Sequence, residues 1–263
     1  MTEWLYGRHS VEEALRAGRR RIYRVLVAGA EEGKGSPTGE RLRGIEALAR
    51  QAGVPVEVVP VSRLDALTRV GHHHQGVAAE AGPFIYTSLT GVLDLCRLHG
   101  SRTLILLLDS LQDPQNFGTL LRTAEAAGVT AVVMPERRQV EITPAVVNAS
   151  AGAVEHLQVC RTNNLVRAIE RLQEAGLWVY ALHAGPDATL YTDADLTGPL
   201  GLVVGSEGKG VGRLVRERCD DVLRIPMFGR VESLNAAVAG SIVIYEAVRQ
   251  RNAGAPGRPD RKA

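Results

Sequence analysis

"TLILLLDSLQDPQNFGTLLRTAEAAG", residues 103–128, carries three signals in order. Residues 104–108 are apolar without a break, as in a strand buried on both faces of a parallel sheet. A polar turn through Asp113, Pro114, Gln115 and Asn116 ends that run. Residues 116–127 then read as a helix. Strand, turn and helix recur toward the C-terminus, with strands at "TAVVMP" (130–135), "HLQVCR" (156–161), "LWVYALH" (177–183), "LGLVVG" (200–205) and "DVLRIP" (221–226). Helices are expected at 164–175 and 211–219. Such alternation implies an α/β fold, a parallel sheet joined by right-handed crossovers.

Working toward the N-terminus, residues 83–100 read as a linker with a short helix, and residues 1–82 as a smaller α/β unit. That unit holds strands at 21–28, 54–60 and 76–81 and helices at 39–53 and 62–70. Ser10 and Glu13 have the spacing of a capping box before "VEEALRAG". The larger domain spans 101–251. Its last helix, 233–251, carries Leu234, Val238, Ser241, Tyr245 and Val248 on one stripe, with Ile242, Val243 and Ile244 beside them. A helix apolar nearly all round is expected to be buried on several sides, a partner subunit among them. The tail, 252–263, is rich in Pro and Gly, basic, and expected to be disordered.

Composition narrows the function. The chain has 263 residues and a net charge of only +2, so a nucleic-acid surface must be a local patch. No stretch of eighteen apolar residues marks a membrane span, and the N-terminus lacks an apolar signal core, which points to the cytoplasm. Cys96, Cys160 and Cys219 have no metal or redox spacing. His72, His73 and His74 are adjacent but point in different directions, so no metal is expected there. Arg16, Arg19, Arg20, Arg21 and Arg24 form a basic cluster, either a solvated face or a set of phosphate contacts.

Three polar turns follow buried strands, where α/β sheets place ligands. The first holds Asn116, with Arg122 about one and a half turns further on; on spacing alone a helix cap and a solvated charge are the favoured reading of that pair. The second is "GLVVGSEGKGVG" (201–212), with Glu207 inside a glycine-rich loop. It fits neither the P-loop pattern nor the dinucleotide fingerprint. A carboxylate there would repel phosphates, which points to a nucleoside recognised by other means. A nicotinamide-dependent oxidoreductase is the competing reading of this loop alone. The third is "IPMFGRVESLNAAVAG" (225–240), with Ser233 and Asn235 at a helix start, where Ser233 as a plain N-cap is the alternative.

Together "DPQNFGTLLRTAEAAGV", "LVVGSEGKGV" and "IPMFGRVESLNAAVAGSIVIYEAVR" resemble the signature motifs of the SpoU/TrmH family of RNA 2′-O-ribose methyltransferases, in the SPOUT class. "YGRHSVEEAL" and "HHQGVAAEA" are similar to the substrate-binding domain of the RlmB-like subgroup, which acts on a guanosine of 23S rRNA. The resemblance implies a C-terminal trefoil knot, a ribosomal-protein-L30e-like N-terminal unit that binds RNA, S-adenosylmethionine as methyl donor without a metal, and a homodimer paired through the C-terminal domain. DNA is not expected as a partner. By position, Asn116, Arg122, Glu207, Ser233 and Asn235 match the catalytic set. Gly205, Glu207, Ile225, Met227 and Leu234 match the donor site. "ALHAGPDATLY" (181–191) departs from the family pattern and is left out of the binding set. A silent RNA-binding assembly factor on the same fold, and the same chemistry on tRNA or another rRNA site, are the alternatives.

Overall fold

A computed structural model describes residues 2–29, 38–68, 73–137, 139–185, 187–206 and 208–253. In chain order its elements begin β1 (Glu3–Tyr6), α1 (Arg8–Ala17), β2 (Ile22–Ala28), α2 (Thr38–Gln51), β3 (Val56–Val59), α3 (Val61–Thr68), β4 (Val77–Ala81), α4 (Leu89–His99), β5 (Leu104–Asp109), α5 (Pro114–Ala126) and β6 (Ala131–Pro135). There follow α6 (Pro144–Ala149), β7 (Val159–Thr162), α7 (Leu165–Glu174), β8 (Trp178–Leu182), β9 (Thr189–Leu190), β10 (Leu200–Gly205), α8 (Arg213–Arg218), β11 (Asp221–Arg224) and α9 (Ala236–Ala253).

The chain divides into two compact units. The first comprises Met1–Ile85 and Glu141–His156, so α6 and its flanks, expected in the second domain, pack with the first. Its sheet runs β1-β4-β2-β3, with β2 and β3 parallel and the other pairs antiparallel. β1, four residues long, is absent from the sequence reading. Its strand state comes from pairing with β4, Glu3 beside Ala81 to Tyr6 beside Ala78, which satisfies its backbone. The capping box is also corrected. Gly7 precedes α1 at φ 85°, and Ser10 lies inside the helix, buried, with its hydroxyl unbonded among the described residues.

The second unit comprises Tyr86–Val140 and Leu157–Ala263. Its seven strands are ordered β7-β6-β5-β10-β8-β11-β9, all parallel. Ile105, Leu107, Val133, Val179 and Val203 are wholly buried at its core. The expected linker mostly belongs to this unit: Ser88 accepts a hydrogen bond from the Gly91 amide to cap α4, which buries Val92, Leu93 and Cys96.

α9 begins at Ala236 and buries Ala237, Gly240, Val243, Ile244 and Ala247. That is not the expected stripe: Val238 and Tyr245 are about half exposed. The small residues face inward because α9 packs closely on α5 and β10. A Cβ on Gly240 would lie 2.9 Å from Leu120 and 3.1 Å from Val204. Arg251 ties the end of α9 down, donating to the carbonyls of Leu196, Gly198, Arg102 and Thr103. The tail expectation lies outside the described residues from 254 onward.

Candidate active site

β10 is central in the sheet and buried along its whole length, Gly205 included, and Ser206 just beyond it is only partly buried. There the chain turns back on itself. Ser206 bridges Gly210, and the Ser206 carbonyl accepts from the Gly210 amide at 2.9 Å. Gly210 has φ 62°. A Cβ on Gly205 would fall 2.1 Å from the Gly210 carbonyl carbon and 2.3 Å from the Val211 nitrogen. Only glycine allows two backbone segments that close. The Gly212 amide donates to Asp109 Oδ2 at 2.7 Å, which joins this loop to the end of β5.

The turn bounds a cavity of about 320 Å³ whose walls include Gly205, Leu182, Ile225, Met227, Ser233 and Leu234. That volume lies at the lower end for small-molecule sites, ~300–1,000 Å³. The walls are mixed, with the apolar Leu182, Val204, Ile225, Met227 and Leu234 and the glycines Gly205, Gly208 and Gly210 of the turn. Gly205, Ile225, Met227 and Leu234, expected at a donor site, all line it. Ser233 lines it too and does not cap α9; Asn235 does, its Oδ1 accepting from the amides of Ala237 at 2.9 Å and Val238 at 3.2 Å. The Asn235 side-chain amide donates to Asn116 Oδ1 at 2.8 Å. Asp113, not Asn116, caps α5. The first and third polar turns therefore meet through one hydrogen bond.

Two expected members are not placed in the cavity. Glu207 lies outside the described residues. Arg122, on α5, is exposed, does not line the cavity, and makes no hydrogen bond or ion pair with a described residue.

The segment omitted from the binding set supplies part of the wall: Leu182, His183 and Ala184. The correction has a simple cause. β8 adjoins β10 and ends at the same rim, so its following loop must reach the site. His183 Nε2 lies 2.6 Å from an Arg216 guanidinium nitrogen, which donates to it. Burial, with the nearby Arg216 charge second, holds its pKa below the usual histidine value. Glu232 and Lys209, also unassigned from sequence, add charges of both signs to the wall. Cys160 and Cys219 are pushed up to about 11 and about 12, mainly by burial, so neither provides a thiolate near neutral pH.

The arginine cluster separates. Arg20 is buried, paired bidentately with Glu155 at 2.6 and 3.0 Å and also with Glu3. It is an internal structural cation, which corrects its assignment to RNA phosphate. Arg24 pairs with Glu57 and Glu80, and Arg16 with Glu12 and Glu13. Arg21 stays exposed, 5.0 Å over Tyr23, and Arg19 is half-buried, 5.7 Å over Phe84. Among the described residues no helix is long and apolar enough to cross a membrane, and no group of three or more His, Cys, Asp or Glu gathers.

Comparison with known proteins places this geometry. Residues 103–245 match the SpoU rRNA Methylase family, and residues 4–87 match the RNA 2′-O ribose methyltransferase substrate-binding domain. The chain belongs to the SpoU/TrmH family of RNA methyltransferases. A protein of Bacillus subtilis named a TrmH family tRNA/rRNA methyltransferase is 39% identical over 253 residues, 95% of this SpoU/TrmH chain and 96% of the relative. An AdoMet-bound rRNA methyltransferase from Sinorhizobium meliloti superposes with a TM-score of 0.74 at 25% identity, over 94% of this chain and 87% of that one. An RNA 2′-O ribose methyltransferase matches with a TM-score of 0.74 at 28% identity, over 95% and 89% of the two chains. The parallel sheet and the preceding substrate-binding domain are those of the SpoU/TrmH fold.

Proposed function

We propose that this protein transfers a methyl group from S-adenosylmethionine to a ribose 2′-hydroxyl of RNA, a guanosine of 23S rRNA being the first candidate. One observation carries the reading: the cavity at the end of β10, pinched by Gly205 and Gly210, adjoins the Asn116–Asn235 hydrogen bond. The residues suit the donor. The Gly205–Gly210 turn admits a ligand close to backbone, where a Cβ would block it. Ile225, Met227, Leu234 and Leu182 offer apolar surface for an adenine ring, and Glu232 offers a carboxylate for a cationic ligand. When bound, S-adenosylmethionine supplies a methyl group activated by its sulfonium.

The chain's own residues then have three tasks. A ribose hydroxyl is a weak nucleophile at neutral pH, so alignment matters most, worth up to ~7–11 kcal/mol. Ser233 and Asn235 hold the ribose or donor end, and Asn116 fixes Asn235. Arg122 stands outside the cavity, where a guanidinium suits an RNA phosphate by a bidentate contact and steadies negative charge growing on the ribose oxygen. A guanidinium is a donor with no acceptor site to offer a proton, so the proton passes to phosphate or water. Glu207 orients the glycine loop.

We further assign RNA reading to the L30e-like N-terminal unit, with Arg21 and Arg19 as its phosphate contacts. Pairing into a homodimer through the C-terminal domain is supported by the half-exposed Val238 and Tyr245 on α9. A trefoil knot is supported by residues 182–184, 205–206, 208–210 and 232–234 sharing one cavity. The setting is the cytoplasm.

The test is methyl transfer from radiolabelled S-adenosylmethionine to rRNA and to tRNA from cells lacking this protein, followed by alkaline hydrolysis. Label in alkali-resistant dinucleotides from 23S rRNA supports the reading. Label in tRNA alone moves the substrate, and no label in either leaves an RNA-binding assembly factor.

A further inference from the structure

We propose that a cleft between the carboxyl ends of β6 and β7 is a second RNA-backbone site, built by Arg137 and Arg167, which holds the strand beside the nucleotide in the active cavity. The inference rests on the RNA methyltransferase reading and extends it to the catalytic unit itself. Glu136, Arg137, Asn163, Asn164 and Arg167 line this cleft, whose volume is about 580 Å³. Arg137 and Arg167 are both exposed, and neither guanidinium bonds to a described residue. Arg161 stands next to them, donating to the Glu136 carbonyl at 3.3 Å and lying 5.2 Å over the Tyr86 ring. Two guanidinium groups and two side-chain amides thus share the lining with one carboxylate, Glu136. Arginine forks and amide side chains are the chemistry that binds phosphodiesters.

Sheet register sets this cleft on the same rim as the methyl-donor cavity. Gly205 of β10 lies beside Asp109 of β5. Leu107 lies beside Val133, two residues before Asp109 and Pro135 respectively. Pro135 lies beside Thr162. Ser206, Ser110, Glu136 and Asn163 therefore sit one step beyond the strands at a common height. Three inter-strand steps separate β10 from β7, about 14 Å at ~4.8 Å each. The start of α5, with Asn116, lies between. A single strand crossing the rim spans that distance with a few nucleotides.

The experiment measures binding of a fluorescein-labelled oligouridylate to the full chain across a salt series. Each phosphate contact on a single strand contributes about 0.7 to the slope of log K against log[salt]. Arg137→Gln/Arg167→Gln is expected to lower the slope by about 1.4. Between about 50 and 200 mM salt, wild type should then lose about 7-fold more affinity than the variant. Glu136→Gln, which removes the opposing charge, is expected to bind more tightly. An unchanged slope in the double variant, or weaker binding by Glu136→Gln, overturns the cleft. Methyl transfer by wild type, run alongside, separates the two readings. RNA binding with the expected slopes but no transfer sinks the enzyme and keeps the cleft; transfer with unchanged slopes does the reverse.

Discussion

Replacing Arg20 with Met tests the structural role that removes this residue from the RNA surface. The Arg20 side chain is 1% exposed, as is that of Glu155, and their two hydrogen bonds are 2.6 and 3.0 Å long. Arg20 also donates to the Gly82 carbonyl at 3.3 Å and bonds Glu3. Burial raises the Glu3 pKa despite that contact. Methionine keeps much of the volume and deletes the charge. Arg20 is the one cation bonded to Glu155 among the described residues, so Glu155 would be left buried and uncompensated. Breaking such a pair from one side costs about 3–5 kcal/mol. At ~2–4 °C per kcal/mol, the melting temperature falls by about 6–20 °C. The double change Arg20→Met/Glu155→Leu removes both charges and should recover most of the loss, because the coupling is between neighbours. Thermal melts by circular dichroism read the stability, and the oligouridylate salt slope reads the surface. A single variant that melts within about 2 °C of wild type refutes the reasoning. So does a variant of normal stability whose salt slope falls by one contact.

Gly205→Ala drives a methyl into the Gly210 backbone, and calorimetry should show S-adenosylmethionine binding weakened about 10–100-fold; unchanged affinity would mean the turn can open. Asn235→Asp keeps the α9 cap but loses the N–H donated to Asn116. Its melting should stay near wild type while turnover drops about 10-fold, and equal loss of both would reduce the contact to a fold constraint. Arg122→Lys keeps the charge without the fork, so near-normal methyl transfer would rule out bidentate phosphate contact. His183 titrates below its ordinary value when folded, so the unfolded chain takes up its proton first. Stability at neutral pH should fall as pH drops through the usual histidine value of 6.5. Denaturant midpoints of His183→Gln should lack that part of the pH dependence.

Much of the architecture was legible along the chain. Residues 104–108, 131–134 and 200–204 offer no polar face, and such strands are satisfied only inside a parallel sheet. The strand-then-turn pattern marked the rim and Ser233; Gly205, Ile225, Met227 and Leu234 were legible as a donor set only through the resemblance of the motifs to the SpoU/TrmH family. What sequence could not reach was any partner chosen by distance in space. Residues 141–156 join the first unit because their side chains pack there, and nothing local marks it. Arg20 and Arg21 are neighbours of one type, yet one meets Glu155, 135 positions away, and the other meets solvent. His183 looked like a departure in a loop, until the β8–β10 pairing brought that loop to the cavity. Along α9 the apolar residues are spread too evenly to name a buried face, and the close packing of Gly240 on Leu120 and Val204 chose it. Periodicity and turn chemistry are properties of short segments, so the sequence itself determines the elements and the rim where they end. Burial of a charge and the pairing of distant amides depend on which surfaces meet, so only the tertiary structure decided those.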